Sequence, residues 1–206
     1  MAWAGTGSGT PGFAFILAGL SILFVRGAFE AEVVLTQSLQ TQGYQGTADL
    51  VRLSAVPWGL GLLFFGYAID HPEVLWDRVR SRRILAAFLL FADGGIHILA
   101  IGEHVDSVAV VFFLVLVPLE CFGGFTIMRA SRSAVWAWLL AAFGLIGVYA
   151  LSRLVILPFI SQQYVFGPLG VISKGIEAVL AFALAQELWT TSASRHPRGA
   201  RPATQS

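Results

Sequence analysis

Six apolar stretches, at roughly residues 12–29, 53–70, 83–104, 107–128, 134–158 and 167–189, constrain this chain more than any other feature. Each is close to the ~20 residues a helix needs to cross a hydrocarbon core. Inside lipid every backbone N–H and C=O must find its partner within the protein, which a helix achieves by itself. The expected fold is therefore all-α: a polytopic transmembrane helical bundle of about six spans, forming one domain over residues 1–190. Composition agrees, with 56% of the 206 residues hydrophobic and 12% charged, against about 25% charged in a soluble domain. No soluble domain of useful size is left over, and the lipid bilayer is the first partner.

The same counts exclude several classes. A net charge of +1 provides no basic surface for nucleic acid. The single Cys121 rules out an internal disulfide and any Cys-rich metal site. The N-terminus "MAWAGTGSGTPG" lacks the basic region of a secretory signal, so the first apolar stretch is expected to remain as a span. The tail 191–206, rich in Pro and Arg, is expected to be disordered and cytoplasmic. The second span holds Pro57, Gly59 and Gly61, which predicts a kink or tilt, and the third could be cut at Gly94-Gly95. Gly123, Gly124, Gly144 and Gly147 are expected to let helices approach closely, and Trp136, Trp138 and Trp189 to anchor the bundle at an interface. There is no internal repeat, Walker loop, dinucleotide fingerprint or G-x-S-x-G.

Arginine placement predicts the topology. Arg78, Arg80, Arg82 and Arg83 precede the third span, Arg129 and Arg132 lie between the fourth and fifth, and Arg195, Arg198 and Arg201 follow the sixth. With six spans all three groups share one side, expected to be cytoplasmic with both termini, in a bacterial or archaeal cytoplasmic membrane. The polar loop 30–52 then faces outward and is suited to docking.

Ionisable residues inside the spans carry the functional signal, because charge in a bilayer normally faces protein, water or a metal. Asp93, His97 and His104 on the third span point within roughly 40° of one another. Asp93 and His97, at i and i+4, can chelate one ion from a single helix. Imidazole with carboxylate suits copper, zinc or iron. His104 lies about 10 Å further along an unbroken helix; it joins that ion only if the helix ends at Gly102, and otherwise forms a separate outer site with Glu103. Span counting puts Arg153, Lys174 and Glu177 in the same outer half, with Glu120 deeper, in the inner half. These four form an intramembrane polar network. The bland alternative pairs Asp93 with Lys174 or Arg153, lets His97 hydrogen-bond a neighbouring helix, and leaves Lys174 and Glu177 as an i, i+3 pair. A proton path is the third option. A haem held by this chain alone is not expected, since His71 and His196 lie at the cytoplasmic surface and in the tail.

Three segments carry a resemblance. "IHILAIGEHV" (96–105), "YALSRLVILPF" (149–159) and "GPLGVISKGIEAVL" (167–180) resemble a loose group of polytopic bacterial membrane proteins of unassigned activity that share an I-H-L-x-x-x-x-E-H-L segment. This chain has Gly102 where that group has proline. The likeness covers roughly the C-terminal half and implies a shared fold and a shared site that includes His97, Glu103, His104, Arg153, Lys174 and Glu177. The Asp-x-x-x-His spacing of Asp93 and His97 also resembles the copper site in a membrane subunit of copper-dependent alkane and ammonia monooxygenases, which implies copper chemistry. Together these readings predict a small integral-membrane subunit of a larger redox, respiratory or monooxygenase-type complex, holding a metal in the outer half of the bilayer alongside other membrane subunits. The alternative is a proton-coupled transporter using the intramembrane carboxylates and Lys174. No catalytic residue can be named, so enzymatic activity stays open.

Overall fold

The computed structural model describes residues 11–29, 54–103, 107–154 and 168–193, and all the elements there are helical. Helix α1 begins at Pro11–Leu20 and runs on through a widened π turn, Ser21–Arg26. Helix α2 is Ala55–Asp70, α3 is Arg78–Glu103, α4 is Ser107–Thr126, α5 is Arg132–Leu154 and α6 is Pro168–Ala193. Five of the six are long and apolar enough to cross a membrane; α2, with 16 residues, is the short one. The chain is an all-α transmembrane bundle. Residues 104–106, 155–167 and 194–206, which include His104, lie outside the described residues, as does loop 30–52; of the expected tail 191–206 the first three residues extend α6 and the rest is outside.

Helix α3 is the axis of the bundle. It packs against α4 and α6, touches α2 and the π turn of α1, and 72% of its apolar window is buried, against 17–39% for the other spans. Around it, α1 pairs with α2 and α5 pairs with α6. A span enclosed by other helices can carry charge that a lipid-facing span cannot, which is why the polar residues of α3 are tolerated. It starts at Arg78, earlier than its apolar run, because Asp77 Oδ1 accepts the backbone N–H of Val79 (3.0 Å) and Arg80 (3.2 Å) and caps it.

Helix α2 is unbroken, and Pro57 lies in its first turn, where no N–H is needed. Gly59 and Gly66 instead form half of a reciprocal contact with α1. A Cβ at Gly66 would stand 2.4 Å from the carbonyl oxygen of Gly12, and one at Gly19 would stand 2.6 Å from that of Gly59. Two glycines seven residues apart on each antiparallel helix thus bring the backbones together, as small residues do in membranes. Gly123 and Gly124 play the expected role, admitting the rings of Trp138 and Phe91. Gly144 and Gly147 do not, since nothing lies within 4 Å of a Cβ at either. Trp138 is a packing residue against Gly123, whereas Trp136 and Trp189 are exposed as anchors should be.

The first two arginine-bearing segments and the end of α6 come together at one end of the bundle. Arg83 donates from Nε (2.9 Å) and Nη2 (2.7 Å) to Oε1 of Glu187 on α6, and from Nη1 to the Met128 carbonyl (3.0 Å) after α4. Arg82 adds a hydrogen bond to Thr190. Glu73 accepts from Arg80 Nη1 at 2.7 Å just before this end.

Candidate metal centre and its polar surround

The ionisable residues converge about the middle of α3. Asp93, His97, Glu120, Ser173 and Glu177 are all buried, Glu177 completely. His97 Nδ1 and Glu120 Oε2 are 2.9 Å apart, and the imidazole stacks on Phe113 with 5.2 Å between ring centroids. Ser173 Oγ donates to Asp93 Oδ1 at 2.8 Å and lies 3.3 Å from both His97 Nε2 and Glu177 Oε1. Lys174 Nζ donates to Glu177 Oε1 one turn along the same helix. Five side chains on α3 and α6 and one on α4 therefore form a single network.

Local sequence explains the convergence. Gly94 and Gly95 do not cut α3; they are where α1 and α4 press against it. Leu23 presses onto Gly95, and Phe24 and Glu120 onto Gly94, where a Cβ would be 3.4 Å from Glu120 Oε2. The π turn in α1 supplies Leu23 and Phe24 to this contact. In α4, Pro118 cannot donate to the carbonyl of Leu114, which loosens the helix two residues before Glu120. The Glu120 carboxyl then reaches toward His97, as side chains tilt toward the start of their own helix.

This placement corrects the span count. The Glu120 carboxyl is level with Asp93 and His97, not deeper, because the side chain reaches back toward the start of α4. Asp93 is partnered by Ser173, while Lys174 goes to Glu177 as the i, i+3 spacing indicates. Arg153 lies over the ring of Tyr149, 4.6 Å from its centroid, and Lys174 Nζ lies 5.5 Å from the same ring, so Arg153 borders the network through an aromatic face. Helix α3 continues through Gly102 to Glu103, about 9 Å beyond His97 along the axis. His104 lies outside the described residues, and nothing described joins Glu103 or His104 to Asp93 and His97.

Ser173 escaped the sequence reading, although a hydroxyl one turn before Glu177 in an apolar helix faces the same way. Asp93, His97 and Glu120 each offer one donor atom, and the three atoms lie within 4.8 Å of one another. Glu120 Oε1 and Glu177 Oε2 are buried without a hydrogen-bond partner among the described residues. Both carboxyls, with Asp93, border a cavity of about 260 Å³ whose other walls, Leu116, Leu145 and Leu180 among them, are apolar. Comparison with protein-family models, curated proteins and solved structures returns no match.

Proposed function

We propose that this membrane protein holds a divalent transition metal between α3 and α4, with Asp93, His97 and Glu120 as ligands. The observation that carries the reading is their convergence: two carboxylates and an imidazole, from two helices, within 4.8 Å. Donors around a tetrahedral ion at 2.0–2.1 Å stand about 3.4 Å apart. The closest pair already lies at 2.9 Å, and the widest must close by at most about 1.4 Å. Charge supports the same set. Lys174 offsets Glu177, and two carboxylates with a neutral imidazole then balance one divalent cation in a site that tolerates no net charge. With Nδ1 on the ion, Nε2–H points to Ser173, whose hydroxyl goes on to Asp93. Such outer hydrogen bonds fix the orientation of ligating histidines.

Three ligands leave a coordination position for solvent, substrate or a side chain of another chain. That opening supports a role as the metal-holding subunit of a larger redox or monooxygenase-type membrane complex, in keeping with the resemblances of "IHILAIGEHV" and of the Asp93–His97 spacing. Copper is the first choice, since a nitrogen–oxygen site binds it more tightly than zinc or iron. The arginine-rich end is taken as cytoplasmic, with both termini there. Elemental analysis and an optical spectrum of natively purified protein test the reading. About one copper, zinc or iron per chain is expected, lost in His97→Ala; unchanged metal content in that variant removes His97 from any metal chemistry.

A second reading is favoured by the run of hydrogen bonds from Lys174 through Glu177 and Ser173 to Asp93, His97 and Glu120. Such a chain can relay protons, as a proton-coupled carrier requires. Reconstituted vesicles should then show pH-driven flux that Glu177→Gln abolishes; no such flux eliminates it.

A further inference from the structure

The arginine-rich end of the bundle holds a second site, independent of the buried carboxylates. A groove of about 1040 Å³ opens there between the corner joining α2 to α3 and the corner joining α4 to α5. Three guanidiniums line it, Arg80, Arg83 and Arg129, against one carboxylate, Asp77. Asp77 is already committed to the first N–H groups of α3, and Arg83 to Glu187 and the Met128 carbonyl. Arg80 and Arg129 remain for a ligand. The Arg80–Glu73 pair is exposed and therefore easily exchanged. Arg129 is exposed and makes no hydrogen bond or ion pair among the described residues.

We propose that this groove binds the phosphate of an anionic glycerophospholipid drawn from the surrounding bilayer. Charge complementarity is the first argument, with a formal balance of +3 − 1 = +2 along the lining, counting the three arginines and Asp77 and leaving His71 neutral. The second is geometry. A planar guanidinium grips phosphate with paired N–H groups, which a lysine cannot do, and Lys174 is the lone lysine among the 13 Lys and Arg of the chain. The third is the opposite wall. Phe122 and Phe125 line the groove, are 65% and 64% exposed, and continue down the membrane-facing side of α4, where an acyl chain would lie. A free phosphate would use the arginines and leave the phenylalanines idle. Basic pockets between helix ends at the membrane surface recognise lipid headgroups in this way.

Native mass spectrometry of the full chain tests the proposal, after exchange against vesicles of phosphatidylglycerol or phosphatidylcholine, with glycerol 3-phosphate in detergent as a separate arm. One phosphatidylglycerol should be retained in preference to phosphatidylcholine. Retention should fall about fivefold in each of Arg129→Gln and Arg80→Gln, and be unchanged in Arg78→Gln, which lies outside the groove. Melting curves of the three variants should match the parent, since the groove arginines sit at the surface; Phe122→Ala, which leaves every arginine in place, should also lower lipid retention. Equal retention of the two lipids, or an equal loss in Arg78→Gln, overturns the site. Binding of glycerol 3-phosphate as tightly as the lipid, unaffected by Phe122→Ala, replaces the lipid with a soluble phosphate and overturns the proposal in that form.

Discussion

Replacing Glu120 by glutamine separates its two roles, as helix contact and as metal ligand. The amide keeps the shape of the side chain, and its oxygen can accept the hydrogen that His97 Nδ1 offers at 2.9 Å. The metal-free variant should therefore fold, whereas Glu120→Ala breaks a buried pair at a cost of about 3–5 kcal/mol. Metal affinity should behave differently. Outer-shell partners of a metal are worth about 10–100-fold in affinity, so loss of a carboxylate that touches the ion should cost at least about 100-fold. At a metal concentration 100 times the parent's Kd, binding stabilises the fold by about 2.7 kcal/mol; in the variant the same concentration equals Kd and gives about 0.4 kcal/mol. At about 2–4 °C per kcal/mol for a chain of this size, a metal-induced rise in Tm of about 5–11 °C should shrink to about 1–2 °C. The six tryptophans provide the signal for melting curves in detergent with titrated copper, zinc or cobalt. A variant with the parent's full metal-induced shift refutes Glu120 as a ligand. A variant that cannot fold without metal refutes the claim that the amide preserves the contact.

Four further outcomes follow from the packing. Gly66→Ala, whose Cβ would meet the Gly12 carbonyl at 2.4 Å, should push α1 from α2 and destabilise by about 1–3 kcal/mol, while Gly61→Ala, with nothing within 4 Å, should be neutral or stabilising by up to about 1 kcal/mol; thermal melts of the pair decide it. Ser173→Ala should leave the metal bound but lower affinity about 10–100-fold, read by competition with a chelator. Arg83→Ala removes both hydrogen bonds to Glu187 and should cost about 2 kcal/mol, less than a fully buried pair because Arg83 is 26% exposed, with Arg83→Lys recovering only part. Glu73, just before α3, is held below the ordinary carboxylate range by its own backbone N–H, with His71 and Arg80 adding to the effect. A depressed carboxyl pKa contributes stability above its unfolded value and loses it as pH falls through the folded one, so an acid-side step in Tm should vanish in Glu73→Gln.

The spans were legible because bilayer thickness fixes their length, and the shared end of Arg83, Met128 and the end of α6 agrees with the arginine count. The pairing of Lys174 with Glu177 followed from spacing within one helix. What did not follow was anything that depends on how two helices sit against each other. Residue counting put Glu120 deeper than Asp93 and His97 because it takes each side chain as level with its own Cα, whereas this carboxyl reaches back along α4. Gly94-Gly95 reads as a break in one helix and is a contact between three. The glycines at 12, 19, 59 and 66 acquire meaning only as facing sets, and Gly144 looks like them in sequence while bordering the cavity beside Glu120 and Glu177.

The position of the cluster is itself an argument about what it does. The chain carries most of its intramembrane charge on α3 and on the faces of α4 and α6 that touch it, so each carboxylate has to be offset locally. Lys174 accounts for Glu177, and Ser173 can give Asp93 a hydrogen bond but no charge. Asp93 and Glu120 remain, with one imidazole between them, a deficit of two positive charges if the imidazole is neutral. A proton on each carboxyl would also cancel the deficit, and the 2.9 Å contact of His97 with Glu120 would then use the same glycines as a hydrogen bond. A divalent cation removes the deficit in one step and makes use of the same approach, since it holds its donors only about 3.4 Å apart, little more than a hydrogen bond does. Valine at Gly94 is the discriminating change: a Cβ there only touches Glu120 Oε2, at 3.4 Å, but the two methyls beyond it compete with the carboxylate for its space. It should weaken metal binding about tenfold or more by holding the carboxylate back, yet leave a proton relay through Ser173 working. If proton flux falls and metal content does not, the cation is the wrong reading.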